Sequence, residues 1–170
     1  MSVKDIHGLL KHELGDLLYA EKQILKAIKK MSKEVKNPMV KERLLQHYTE
    51  TEGQVTNLER AFESIGEKPR GQKCPGILGI IEEHDEFKEE ESESAPVLEA
   101  FNLGSGLRVE HYEIAAYQSA IVTAKTAGRR ECADLLAANL AQEVEMEKFL
   151  RGVAPKAMKE LAGMMAAEQE

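Results

Sequence analysis

Apolar residues recur every three or four positions along most of the chain, and Gly and Pro cut the pattern into a few long stretches. From Val3 to Lys33, the residues Ile6, Leu10, Leu14, Leu17, Ile24, Ile28 and Met31 share one helical face, which predicts helix A over 3–33. Asn37-Pro38 stops it, because proline disfavours the helical conformation of the residue before it. Val40, Leu44, Val55, Leu58, Phe62 and Ile65 then define helix B over 38–65, closed by Gly66. Residues 66–96 read as a crossover, rich in Gly and Pro and ending in the acidic run Glu89-Glu90-Glu91-Ser92-Glu93. Within it, Pro75 suits the first position of a short helix that packs Ile77, Leu78, Ile81 and Phe87 on the bundle. The acidic run reads as a solvated face, since it lacks the alternating oxygen ligands and central Gly of a calcium loop. Leu103, Leu107, Ile114, Tyr117 and Ile121 mark helix C over 97–127, closed by Gly128, and Leu135, Leu136, Leu140 and Leu150 mark helix D over 129–151. Gly152 and Pro155 are expected to break the chain before a shorter terminal helix over 156–167.

Connection lengths decide the topology. A to B and C to D turn within a few residues, whereas B to C takes roughly 30, enough to run back along a helix rising roughly 40 Å. B and C are therefore parallel, and two antiparallel hairpins joined by one long crossover make an all-α, ferritin-like four-helix bundle with a short C-terminal helix. A length of 170 residues suits one domain spanning 1–170. Lys and Arg number 23 against 30 Asp and Glu, and the resulting charge of −7 does not suit a nucleic-acid backbone or an anionic membrane as partner. No apolar run approaches the roughly 20 residues that cross a bilayer, and the amino terminus lacks the apolar core of a signal peptide. Cys74 and Cys132 show no Cys-x-x-Cys spacing and read as reduced thiols, so a soluble, cytoplasmic chain is expected.

Some acidic residues break the apolar rule. Glu21 falls between Leu17 and Ile24 on helix A, Glu110 between Leu107 and Ile114 on helix C, and Glu143 among Leu136, Leu140 and Leu150 on helix D. Helix B offers His47 near the centre of its stripe with Glu50 one turn on, and Glu113 stands in the same relation to Glu110. Depth agrees, because two residues of an antiparallel hairpin are level when the turn lies midway between them. Glu21 and Glu50 have their midpoint at 35.5, beside Asn37-Pro38, and Glu113 and Glu143 have theirs at Gly128. Carboxylates gathered in an apolar interior are severely unfavourable as free anions. Protonation or buried Lys and Arg could neutralise them, but the neighbouring inward positions read Leu, Ile, Tyr, Gln and Ala. Two divalent cations would do so, and oxygen ligands with an imidazole suit iron or manganese better than structural zinc. The candidate ligands of such a dinuclear centre are Glu21, His47, Glu50, Glu110, Glu113 and Glu143. Tyr117, on the inward stripe two turns beyond Glu110, is assigned to packing. Met146 and Met158 are assigned to the core, and His7, His12, His84 and His111 to the surface, with His111 placed to hydrogen-bond near Glu110.

These segments resemble a known family. Asp16-Leu17-Leu18-Tyr19-Ala20-Glu21-Lys22-Gln23, His47-Tyr48-Thr49-Glu50-Thr51-Glu52-Gly53-Gln54, Val109-Glu110-His111-Tyr112-Glu113-Ile114 and the helix around Glu143 are similar to the YciF-like bacterial stress proteins over about residues 3–155. The resemblance implies a ferritin-like fold, a homodimer and a role in stress responses. In the wider rubrerythrin and ferritin superfamily, helices A and C each give one Glu and helices B and D give Glu-x-x-His. Glu21 and Glu110 match, and Glu110-x-x-Glu113 is similar to the rubrerythrin-type helix C. Gly53 follows Glu50 and Met146 follows Glu143 where the superfamily has His, so His47 can supply the imidazole only with the metal one turn lower. The leading expectation is a stress protein whose iron or manganese acts on peroxide or O₂. In it Glu110 or Glu113 bridges the metals, Glu21, Glu50 and Glu143 complete the ligands, and Gly53 or Met146 leaves a position open. The alternative is a dimeric structural or interaction protein with a metal-free site.

Overall fold

Polar caps set the helix ends. Asp5 accepts the Gly8 N–H at 2.7 Å to start α1 (Ile6–Glu34). Asn37 accepts the N–H groups of Met39 and Val40 to start α2 (Pro38–Ser64), with Pro38 in a first turn where its missing N–H costs nothing. The computed structural model describes residues 3–90 and 95–167, with side-chain surroundings to residue 163, and adds α3 (Pro75–Glu90), α4 (Ala95–Thr126) and α5 (Arg130–Ala167). Gly66 and Gly128 adopt φ of +79° and +70°, a conformation that side chains oppose. There the chain turns out of α2 and α4, and the N–H groups of Glu67 and Arg129 return to the carbonyls of Phe62 and Ala124.

Helix α1 packs on α2 and α4, and α5 packs on the same two, closing a four-helix bundle with no strand among the described residues. The crossover carries α3 along the outside of α1 and α4. It runs in the direction of α1: Gln72 N–H bonds the Gly15 carbonyl at one end, and Lys30 with Asp85 and Lys88 with Glu34 pair toward the other. Two apolar clusters fill the interior. One, toward the α4–α5 turn, holds Leu10, Leu14, Leu58, Phe62, Tyr117 and Leu136; the other, toward the α1–α2 turn, holds Ile24, Ile28, Leu44, Leu103, Met146 and Leu150. No helix of the described residues is long and apolar enough to cross a membrane.

The pattern departs from the expected elements in three places. Helix D does not break at Gly152 and Pro155: α5 runs through Pro155, so the separate terminal helix over 156–167 is its continuation. The proline removes one N–H, but the carbonyl it frees belongs to exposed Arg151, which water can serve, while Val153, Ala154 and Ala157 keep packing on the bundle. His84 is buried, its Nε2 at 2.8 Å from Asn102 Oδ1, because α3 lies against α4; Met158 is exposed. Glu89 and Glu90 end α3, and Glu91 to Glu93 of the acidic run lie outside the described residues.

Candidate metal centre

Between the two apolar clusters lies a layer of acids. Glu21 from α1, Glu110 and Glu113 from α4 and Glu143 from α5 are each at most 3% exposed, as is His47 from α2. Their ligand atoms converge in two groups, each with all atoms within 4.8 Å of one another: His47, Glu110 and Glu143, and Glu21, Glu113 and Glu143. Glu143 belongs to both. The expected bridge was Glu110 or Glu113, but these lie one helical turn apart and face different groups, whereas Glu143 stands between the groups. His47 Nε2 is 3.4 Å from Glu110 Oε1 and 3.8 Å from Glu143 Oε2, so the imidazole does enter one turn below the level of Glu50.

Glu50 joins neither group. Its carboxylate lies at the bundle edge, where Arg43 at 2.9 Å and Gln46 at 2.8 Å take its oxygens. The inward face of α2 is instead His47, Thr51, Gln54 and Leu58. Glu50 Oε2 lies 3.3 Å from His47 Nδ1, so a proton held there directs Nε2 at the layer. Gly53 is exposed and points away, while Met146 is buried beside the layer.

On the far side Tyr117 donates to Glu21 Oε1, and Gln54 donates to Glu143 Oε1 and, at 3.0 Å, to Gln142. Asn139 donates to the Tyr117 hydroxyl at 3.0 Å and accepts from Asn57 at 2.8 Å. Gln54 and Asn139 were missed in the sequence, although their place on apolar stripes was the same signal that exposed the glutamates. Tyr117 both packs and orients a carboxylate. His111 is exposed and lies 3.8 Å from Glu147, not against Glu110.

Burial sets the electrostatics. It pushes Glu21 up to about 7, and it raises Glu113 and Glu143 well above the ordinary carboxylate range, with the Glu21 charge adding to both. Burial opposes a charge on His47, but the nearby carboxylates of Glu110 and Glu50 outweigh it and raise the imidazole to about 10. His47 and Arg43 hold Glu50 down at about 2. Among the described residues no Lys or Arg forms an ion pair with Glu21, Glu110, Glu113 or Glu143. Six buried atoms of the layer have no hydrogen-bond partner: Glu21 Oε2, His47 Nε2, Glu110 Oε2, both Glu113 oxygens and Glu143 Oε2. Unpartnered buried carboxylate oxygens converging at this spacing, with one imidazole and no Lys or Arg paired to them among the described residues, fit divalent cations.

A long-crossover bundle whose mid-height is sealed around carboxylates and one imidazole defines a ferritin-like protein with an acidic core. Residues 5–163 match the family described as a domain of unknown function, DUF892, and the chain belongs to that family of YciF-like proteins. It is 33% identical to protein YciF of Escherichia coli K12 over 144 residues, 84% of this chain and 86% of that one. The crystal structure of the E. coli stress protein YciF matches with a TM-score of 0.85 at 31% identity, covering 92% of this chain and 98% of that chain. YcfI of Rhodopseudomonas palustris, which carries a provisional description as a structural protein, matches with a TM-score of 0.85 at 36% identity, covering 88% and 95%.

Proposed function

We propose that this chain is a stress-protection protein holding two iron or manganese ions, one at His47, Glu110 and Glu143 and one at Glu21, Glu113 and Glu143. The six unpartnered atoms of the buried layer carry this reading. Bound there, the ions would supply redox and Lewis-acid chemistry toward a small oxidant, peroxide or O₂. The chain's own residues hold the site ready. Glu50, fixed by Arg43, keeps His47 turned inward; Tyr117 and Gln54 each occupy one oxygen of a ligand and leave the other free. The apolar clusters on either side exclude water and strengthen every interaction within the layer. Protein purified without chelators is expected to carry about two metal ions per chain, and Glu143→Gln, which alters both groups, to lose both. Less than a tenth of that metal, unchanged by Glu143→Gln, rejects the reading. The homodimer expected from the family resemblance belongs to the same proposal, and sedimentation equilibrium tests it.

A second reading, a dimeric structural or interaction protein with a metal-free site, is favoured by Gly53 and Met146 standing where the superfamily has histidines, and by the description that YcfI carries. Under it, Glu21→Gln with Glu143→Gln relieves buried charge and raises the melting temperature. Under the metal reading the same pair of changes lowers it.

A further inference from the structure

The half of the core beside the α1–α2 turn contains an elongated void. Every main helix contributes a wall: Ile28 from α1, Leu44 from α2, Leu103 from α4 and Leu150 from α5. Its volume is about 60 Å³, room for several waters at roughly 15 Å³ each. The polar residues on its lining sit at the two ends. Glu99 and Asn102 stand at the outer end and are engaged, by the Asn37 N–H at 3.3 Å and by His84 at 2.8 Å. His47 and Glu110 form the inner end, about 16 Å along α4 from Glu99, and there His47 Nε2 and Glu110 Oε2 are unpartnered. Between the ends a guest meets methyl and methylene groups.

We propose that this cavity binds dioxygen, as a small apolar molecule, and delivers it to the His47–Glu110 side of the carboxylate layer. The proposal rests on the metal reading above and deepens it by choosing O₂ over peroxide. A void walled by aliphatic side chains stays dry and takes apolar guests. Dioxygen forms no strong hydrogen bonds and is more soluble in hydrocarbon than in water. Hydrogen peroxide is both donor and acceptor, and would lose its water partners in passing Ile28 and Leu103. Ala27 and Gly106 are the small residues at the gate, since both line this cavity and the outer groove between α1, α3 and α4, and of the two Ala27 is the one a larger side chain can plug from α1.

The test is methyl NMR of the full chain, kept metal-free so that no paramagnetic ion contributes, under pressurised O₂. Paramagnetic relaxation is expected to be several-fold greater at the methyls of Ile28, Leu44 and Leu103 than at the comparably buried Ile65 and Ile121 of the other cluster, and Ala27→Leu is expected to abolish the difference. Should Ala27→Leu not fold, Met31→Ala widens the wall and is expected to increase relaxation at Ile28 and Leu103. Equal relaxation in both clusters overturns the proposal, and so does a selective shift of the same methyls by hydrogen peroxide. Elemental analysis remains independent: a chain that takes O₂ here but holds no metal overturns the delivery role with the metal reading and leaves the gas site standing. A metal-loaded chain whose cavity ignores O₂ overturns this inference alone.

Discussion

On one side of the acidic layer Phe62 and Tyr117 fill the space between the helices, with Ala61, Ala120 and Ala124 letting the backbones close in around them. On the other side no aromatic ring is fully buried, Gly106 stands on α4 where the packed half has larger side chains, and the aliphatic residues leave a void. Both halves read as the same leucine-rich stripe. What separates them is side-chain shape, and the consequence is a division of labour in which one half anchors the bundle and the other leaves room beside the layer. The largest expected effect tests this directly. Phe62→Ala is expected to cost about 4 kcal/mol, near the upper part of the range for core truncations, and Leu44→Ala about 2 kcal/mol, because a side chain bordering a void has already forfeited contacts on one face. Urea denaturation of both variants measures the gap; equal costs would mean that the two halves are packed alike.

The layer itself differs from both halves by its protons. Glu21, raised by burial to about 7, holds its proton more tightly folded than unfolded, where it titrates near 4.5. That contribution to stability is full below about 4.5 and is lost as the pH climbs through 7. His47, raised to about 10, acts in the same direction, its stabilisation present below 6.5 and lost toward 10. Metal-free protein is therefore expected to be more stable at pH 5.5 than at pH 8, by about 2 kcal/mol from Glu21 alone. Added metal is expected to invert the order, since protons compete for the same oxygens. Thermal melts with and without chelator at the two pH values decide it, and a metal-free protein that melts higher at pH 8 contradicts a dry, acidic layer.

The supports of the two ligand groups come from opposite sides of the layer, which allows a finer cut. Glu50 steadies His47, next to the void, and Tyr117 steadies Glu21, next to the packed half. Glu50→Gln is expected to weaken one cation about tenfold and Tyr117→Phe the other, leaving the remaining affinity in each variant near its starting value. Calorimetric titration with manganese resolves the two steps; a variant that weakens both equally would show the groups acting as a single site.

How much of this could be read from the residues follows from geometry. The helices, the parallel B and C and the inward glutamates were legible because periodicity of 3.6 residues assigns each position a face and a depth. The edge position of Glu50 was not legible because the midpoint argument fixes depth and not rotation: His47 takes the inward place on α2, and Arg43 pairs with Glu50 at the edge. The void was illegible, since Leu44 and Leu58 are alike in sequence and only the volume between four helices distinguishes them. His84 looked like a surface residue because the sequence does not say which side of the crossover helix meets α4.

The continuation of α5 through Pro155 gives the smallest effect and the last contrast. In the packed half the α4–α5 turn is held by a glycine and a returning N–H, whereas at the opposite end α5 passes a residue that cannot donate and that frees the Arg151 carbonyl. An interior proline usually costs about 3 kcal/mol, but the freed carbonyl here is at an exposed residue and the helix already exists around it, so Pro155→Ala is expected to return only about 1 kcal/mol. The gain requires that Val153, Ala154 and Ala157 stay seated against the void-bearing half when the N–H is restored. A higher urea midpoint with an unchanged m-value shows that they do. A lower midpoint would mean that the fixed φ of Pro155 helps to seat those three side chains on the bundle, a constraint the packed half does not need.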